Sequence, residues 1–366
     1  MLIIIILSSI VTVNFGTPKT PKKPFYVGVE LAYGDFNSLK TMVNEVKDYT
    51  NVFVLGLPEF SINQTLLNQS CDYIYNSGLD FIVLFTNVTM YDGWGNYTPA
   101  QWVSDAMLKY GDKFLAVYRW DEPGGDQVDA SRYQIVRNAT TYSVAANGYV
   151  NGLGSYLRYF TNTGQTVLTS DYLLYWFDYK AGYTSVLAEF GWNNSREQQI
   201  ALCRGAATAN GKDWGAMITW TYSDAPYIES GPKLYGDLLL AYNNGAKYAV
   251  VFSYPNITQY GILTDRHLDA LKEFWNYTQN NAPNNTAQVK TAYVMPANYG
   301  FGFRSAQDNI WGLWSADNQS QKVWSDVTDL VKQYGSNFDI VFDDPQFNQA
   351  IQNHYDALYY WNGTQL

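Results

Sequence analysis

Tyr118-Arg119-Trp120-Asp121-Glu122-Pro123-Gly124-Gly125 closes the apolar run that leads from Lys113 to Val117. The run has the composition of a buried strand, and the Pro-Gly-Gly behind it stops that strand. Two carboxylates therefore stand side by side where a strand breaks into a loop, with an arginine and an aromatic just before them. In a closed parallel barrel the C-terminal strand ends form one face, and functional side chains gather there. The fold depends on whether the chain supplies seven more such strands around this one.

It does. Short β-rich apolar runs alternate with amphipathic stretches, the pattern of a parallel sheet wrapped by helices. Strands are predicted at 25–31, 52–57, 81–85, 114–120, 166–170, 184–188, 216–220 and 248–252. Helices are predicted at 39–49, 66–76, 99–110, 136–160, 172–179, 196–209, 234–243 and 265–277. The helix at 136–160 carries Gly148, Gly152 and Gly154, which weaken its pattern. Eight strand–helix units make a (β/α)8 TIM barrel over 25–278, close to the ~250 residues usual for that fold. A doubly wound open sheet is the competitor, and no Gly-rich phosphate loop follows any strand to support it. A polar linker at 280–285 leads to 288–366, which reads as a small α/β unit in βαβαβ order. Its strands are predicted at 292–296, 338–342 and 357–361, and its helices at 323–334 and 347–354. That order resembles the flavodoxin-like, amidotransferase-like domain that follows the barrel in some β-galactosidases.

The 366 residues include 47% hydrophobic, ample for a core, but only 15% charged, against roughly a quarter in average soluble proteins. Neutral polar and aromatic residues fill the gap, 32 Tyr among them, a composition suited to surfaces that stack on sugar rings. The net charge of -10 and the lack of basic runs apart from Lys19, Lys22 and Lys23 argue against nucleic acid and anionic membrane surfaces as partners. Residues 2–13 are apolar and too short to span a bilayer; 1–16 read as a signal peptide or an N-terminal anchor, and 17–24 as a Pro/Lys linker. No later segment is apolar enough to cross a membrane. Asn-x-Ser/Thr sequons at Asn63, Asn68, Asn87, Asn96, Asn138, Asn193, Asn256, Asn276, Asn284, Asn318 and Asn362 fit a secreted or cell-surface glycoprotein. Cys71 falls on the second helix and Cys203 on the sixth, on opposite sides of a barrel, so two separate buried thiols are expected and no disulfide.

The strand ends in order offer Glu30, Glu59, Asn87, Asp121 with Glu122, Asp171, Glu189, Trp220 with Tyr222, and Tyr254. Nearly every strand delivers an acid, an amide or an aromatic at one level. Singly each is explained as a cap or turn residue; together they repel and need a use. His267 and His354 fall on predicted helices, so no zinc site and no Ser-His-Asp or Cys-His set can be assembled, and no metal or cofactor is expected. Carboxylates are the only acid–base groups on the rim, and glycoside hydrolysis is the commonest chemistry they perform alone.

Trp120-Asp121-Glu122-Pro123 resembles the Asn-Glu-Pro of the large barrel glycosidase clan, whose Glu at the end of strand four is the acid/base. Ala188-Glu189-Phe190-Gly191 resembles the Glu-Phe-Gly that carries the nucleophile in its cellulase-like members. Asp121 departs from the Asn of that pattern, and Glu189 ends strand six where the clan uses strand seven. Other barrel glycosidases place a nucleophile on strand four and an acid on strand six, which makes Asp121 or Glu122 the attacking group and Glu189 the proton donor. The resemblance thus implies a glycoside hydrolase of a polysaccharide or glycan with two of Asp121, Glu122 and Glu189 as its catalytic pair. Strand alternation puts Asp121 on the face of Arg119 and Glu122 on the face of Tyr118 and Trp120, so that an inward Arg119 pairs with Asp121. Trp94, Trp192, Trp220 and Tyr222 are candidate sugar-stacking residues, and Asp224 and Glu229 candidate polar contacts. The alternative is a non-catalytic, heavily N-glycosylated surface protein that uses the barrel as a scaffold or glycan binder.

Overall fold

The computed structural model describes residues 25–85, 97–283 and 288–365. The calls on Asn87, Trp94, Asn96 and Asn284, the signal or anchor at 1–16 and the linker at 17–24 lie outside the described residues. Eight parallel strands close into a barrel: β1 (Tyr26–Leu31), β2 (Val52–Leu55), β3 (Asp80–Phe85), β4 (Phe114–Arg119), β5 (Val167–Asp171), β6 (Ser185–Phe190), β7 (Asp213–Ile218) and β8 (Tyr248–Ser253). Closure is direct, with Tyr26 to Leu31 of β1 in parallel register with Tyr248 to Ser253 of β8. Alternation sorts the side chains. Val54, Ile82, Ala116, Tyr118, Leu168, Leu187, Met217 and Val250 fill the barrel interior. Val29, Val83, Val117, Val186 and Val251 face outward into the layer shared with the helices.

The helices are α1 (Phe36–Val46), α2 (Pro58–Ser61), α3 (Gln64–Asn76), α4 (Pro99–Tyr110), α5 (Pro123–Val128), α6 (Tyr142–Thr161), α7 (Tyr175–Ala181), α8 (Arg196–Asn210), α9 (Gly231–Asn243) and α10 (Asp265–Asn280). Their starts are set by side-chain caps: Asp35 accepts from Asn37 and Ser38 N–H, Asn63 from Leu66, Thr141 from Val144 and Ser195 from Gln198. The short α2 and α5 are additions to the sequence reading. α6 begins six residues later than predicted, because the segment before it folds back on α5. Gln127 donates to Val136 O at 2.9 Å and accepts from Val136 N–H at 2.8 Å. That segment also accounts for the glycines: a Cβ at Gly148 or Gly152 would lie 3.0 Å from Val136 or 2.6 Å from Ile135.

Beyond the barrel come β9 (Thr291–Met295), α11 (Asn318–Tyr334), β10 (Asp339–Phe342), α12 (Asn348–His354) and β11 (Ala357–Tyr360). They make a separate three-stranded parallel sheet in the order β10-β9-β11, the predicted βαβαβ arrangement. This unit sits against α7 and α8. Arg204 of α8 donates to Asp339 Oδ1 at 2.8 Å and to the Ser336 and Phe338 carbonyls; Trp176 of α7 stacks on Phe342. Gly205 allows the close approach, since a Cβ there would lie 2.3 Å from the Ile340 carbonyl oxygen. Cys71 and Cys203 are free and buried, on α3 and α8 as expected. Among the described residues no helix is long and apolar enough to cross a membrane.

Candidate active site

The end of β4 does not run on as a strand. Trp120 and Glu122 both adopt left-handed backbone, with φ of 59° and 50°. Non-glycine residues rarely do so, and such strain persists only where neighbours impose it. Here β5 imposes it. Thr169 donates its hydroxyl to the Trp120 carbonyl, the Ser170 carbonyl accepts from Glu122 N–H at 3.1 Å, and Asp171 accepts from Gly124 and Gly125 N–H. Three consecutive residues of β5 thus pin the whole turn. The glycine pair is needed for close approach: a Cβ on Gly124 would meet the Leu173 carbonyl at 2.7 Å, and one on Gly125 the Tyr172 ring at 2.4 Å.

This turn corrects the alternation argument. Asp121 does not share a face with Arg119; it accepts from the hydroxyl of Tyr118, the inward residue of β4. Glu122 comes round to contact Glu189 of β6. Arg119 points outward and is buried between barrel and helices. It donates to the Phe85 carbonyl at 2.9 Å, lies over the Phe160 ring, and makes no pair with Asp121.

The centre of the site is one hydroxyl. Ser170 Oγ lies 3.1 Å from Asp121 Oδ1, 2.9 Å from Glu189 Oε1 and 2.8 Å from Tyr118 Oη. The shared contact keeps the Asp121 and Glu189 oxygens no more than about 6 Å apart, by the triangle of these distances, near the ~5–5.5 Å of retaining glycosidases. Asp121 is exposed to solvent although protein surrounds it on most sides. Burial raises its carboxyl, and the Tyr118 and Ser170 hydroxyls oppose that rise. Burial, then the charges of Asp121 and Asp171, push Glu122 up to about 8, with the contact to Glu189 acting the other way. Glu189 is 3% exposed, and burial followed by the charges of Glu122, Asp121 and Asp171 holds it well above the usual carboxylate range. Its Oε2 has no hydrogen-bond partner among the described residues.

The remaining candidates divide. Glu30 ends β1 on the inward face and is 3% exposed; burial and the charge of Asp121 raise it well above the ordinary range. Gly56 makes room for it, since a Cβ there would lie 2.0 Å from Glu30 Oε1. Asp171 is fully buried, and its oxygens accept from four backbone N–H groups, those of Gly124, Gly125, Tyr172 and Leu173. In these contacts it clamps the turn. Burial raises both Asp171 and its buried neighbour Asp178, the charge of Asp178 adding to the rise of Asp171; Asp178 reaches about 8 and accepts from Tyr149 Oη at 2.6 Å. Glu59 is exposed on α2, and no described hydrogen bond ties it to the cluster. Trp220 stacks parallel to Tyr254 with centroids 6.1 Å apart, donates to the Tyr254 carbonyl, and meets Trp192 edge-on. Trp192, Tyr222, Asp224 and Pro226 line an open hollow of ≈ 680 Å³ beside that stack. Sequence reasoning missed Tyr118, Ser170 and Asp178. Tyr118 and Ser170 had a signal, since each is the last inward position of its strand; Asp178 had none.

Raised carboxyls set a direction for stability against pH. Glu122 and Asp178 are lifted to about 8 and Asp237 to about 6, each chiefly by burial. The folded chain therefore binds more protons than the unfolded chain between the ordinary carboxylate range and about pH 8, and stability falls as pH rises across that window. Thermal unfolding is expected to give its highest Tm at mildly acidic pH and a lower one at pH 8; a flat or rising profile would contradict the buried, protonated state of these groups.

No group of His, Cys, Asp and Glu among the described residues converges as a metal site. No family model matches the chain, and no curated protein is similar to it in sequence. Solved structures are similar in fold. The β-galactosidase of the Antarctic haloarchaeon Halorubrum lacusprofundi matches with a TM-score of 0.58 at 10% identity, over 92% of this chain and 69% of that one. The α-L-fucosidase isoenzyme 2 of Paenibacillus thiaminolyticus matches with a TM-score of 0.54 at 10% identity, over 92% of this chain and 64% of that one. The coverage of this chain exceeds the barrel alone, so the likeness takes in the C-terminal unit. The chain has the fold of these barrel glycosidases and spans about two thirds of their length.

Proposed function

We propose that the protein is an exported glycoside hydrolase acting on a polysaccharide or glycan with retention of anomeric configuration. The observation that carries this reading is the Ser170 hydroxyl held between Asp121 and Glu189. Asp121, stabilised as an anion by Tyr118 and Ser170, attacks the anomeric carbon. Glu189, protonated by virtue of its burial, gives its proton to the departing glycosidic oxygen. A glycosyl ester on Asp121 results, and Glu189, now a carboxylate, takes a proton from the water that hydrolyses it. Glu122 keeps Glu189 protonated. The Trp192, Trp220 and Tyr254 faces offer stacking surfaces for neighbouring sugar units. Export is supported by the sequons: Asn63, Asn138, Asn193, Asn256, Asn276, Asn318 and Asn362 are exposed, and Asn68 is half-buried with its Oδ1 bonded by Trp102.

A screen of the purified protein against polysaccharides, read by release of reducing ends, tests the reading. With a substrate in hand, Glu189→Gln is expected to lower kcat by about 10³-fold. Glu122→Gln is expected to leave measurable activity but to move the alkaline limb of the pH profile to lower pH, because the charge that raises Glu189 is gone. Full activity in Glu189→Gln would remove the acid role from this residue.

A further inference from the structure

Several large apolar side chains that the barrel leaves in water stand beside the acid cluster. Trp192, Tyr222, Tyr254 and Ile257 are exposed, on the connections that follow β6, β7 and β8. Trp192 and Tyr222, 43% and 46% exposed, line the open hollow of ≈ 680 Å³ together with Thr221, Ser223, Asp224 and Pro226. Leaving apolar surface in water forgoes the free energy of burying it, and a contiguous exposed patch marks a place where something binds.

Both walls of the hollow are fixed by their backbones. Trp192 is left-handed, with φ of 46°, and its N–H donates to the Trp220 carbonyl at 2.7 Å. Gly191 lets the two connections come that close, since a Cβ there would lie 2.6 Å from the Trp220 carbonyl oxygen. Arg196 ties down the β6–α8 connection. It donates to the Gly191 and Asn194 carbonyls at 2.9 and 3.0 Å and pairs with Asp237 and Glu229. On the other wall the Tyr227 carbonyl accepts from Thr221 and Tyr222 N–H at 2.7 and 2.9 Å. Tyr227 is left-handed too, with φ of 61°, and sets its ring 4.7 Å from that of Trp220. Strained backbone of this kind gathers at ligand sites. The cations of these connections are engaged by their own acids, Arg196 by Asp237 and Glu229, Lys233 by Glu229. None of them lines the hollow, where Asp224 is the only charged group among the described residues.

Aromatic faces beside hydroxyls and one carboxylate, with no cation, fit one ligand chemistry. Pyranose rings lay their C–H faces on Trp and Tyr, and their hydroxyls donate to a carboxylate. A uronate or a sulfate ester meets a like charge in Asp224 and is rejected. The volume lies within the ~300–1,000 Å³ of pockets that enclose drug-sized ligands, so two sugar units fit, each with an aromatic face. The place of the hollow round the rim gives the direction of the chain. Asp121 follows β4, Glu189 belongs to β6, and the hollow lies between the connections after β6 and β7, with Trp192 three residues beyond Glu189. The order is nucleophile, proton donor, hollow. The glycosidic oxygen takes its proton from Glu189, so the departing chain lies on the Glu189 side. We propose that the hollow holds two neutral sugar units of the leaving chain, one on Trp192 and one on Tyr222, with Asp224 accepting from their hydroxyls. The leaving-chain assignment rests on the hydrolase reading; the binding of neutral sugar does not.

Electrophoresis of the full chain through native gels containing hydroxyethylcellulose, galactomannan, xyloglucan, arabinoxylan or laminarin tests the site, with polygalacturonate and chondroitin sulfate as anionic counterparts. At least one neutral polymer is expected to retard the protein, and neither anionic one. Trp192→Ala and Tyr222→Ala are each expected to weaken the retarding interaction about tenfold, and Trp192→Phe to keep it. Both side chains are exposed, so their loss costs no core packing; if Trp192→Ala does not fold, Tyr222→Ala decides. Retardation by no neutral polymer, equal retardation by an anionic one, or unaltered retardation of both alanine variants overturns the proposal. A hexasaccharide of the retarding polymer, isotope-labelled at its reducing end, then places the units. At least two are expected to stay on the labelled fragment, and release of a single labelled unit as the main product overturns the leaving-chain assignment. Hydrolysis that proceeds equally in both alanine variants overturns the site and leaves the hydrolase reading intact. Retardation that needs Trp192 and Tyr222, without hydrolysis of any polymer, upholds the sugar site and overturns the hydrolase reading.

Discussion

Asp121→Ala is expected to lower kcat by about 10⁴-fold, equivalent to about 5 kcal/mol of transition-state stabilisation, with little change in Tm. The stability half follows from position. Asp121 is exposed and accepts only from Tyr118 and Ser170, and both donors retain another acceptor: each other, and for Ser170 also Glu189. The rate half follows from the chemistry assigned to it, because no other carboxyl of the cluster is both exposed and bonded by two hydroxyls. The variant also offers a stereochemical test. Azide entering the space left by the side chain attacks the anomeric carbon directly, in one displacement instead of two. The product is then a glycosyl azide of opposite configuration to the wild-type product. NMR of the anomeric proton distinguishes the two. Rescue that gives the same configuration as the wild type would move the nucleophile elsewhere, and Glu122, one residue on, is the group it would fall to.

Alternating strand and helix patterns placed all eight barrel strands and the three of the C-terminal sheet, with ends displaced by a few residues. Strand length is set by ladder register, which composition does not encode. β7 illustrates this: its observed start at Asp213 pairs with Ser185 of β6, although the apolar run in sequence begins later. The acids of the rim were legible because each follows an apolar strand core. Their mutual arrangement was not. Alternation is a rule for extended backbone, and it fails at the first residue with positive φ. Trp120 and Glu122 both have it, for reasons that lie on β5, some fifty residues away in sequence. Arg119, still on β4, faces outward by ordinary alternation with the inward Tyr118, and Asp171 at the end of β5 is occupied in holding the turn. Ser170 shows the complementary limit. A serine at an inward strand end is common, and only the three-dimensional meeting of β4, β5 and β6 makes it the bridge between two acids.

Asp171→Asn separates the clamp from the substrate-contact role. Asp171 Oδ1 accepts from Gly125, Tyr172 and Leu173 N–H, and Oδ2 accepts from Gly124 N–H. Asparagine keeps one acceptor oxygen, and whichever way its amide is turned an NH₂ faces at least one backbone N–H. A buried donor opposed by a donor costs about 1–3 kcal/mol. Urea unfolding is therefore expected to show a loss of about 3 kcal/mol, with Asp171→Ala losing more. Function should fall in a particular way. The turn that holds Glu122 in left-handed backbone loses its anchor, so the acid cluster is misplaced and kcat falls by about 10²-fold, the cost of a displacement near 1 Å. KM should change little, because Asp171 is buried behind the turn. The opposite pattern, an unchanged unfolding curve with a raised KM, would return Asp171 to the substrate. The two outcomes differ because Asp171 is the carboxylate that takes the Gly124 and Gly125 N–H groups of the turn.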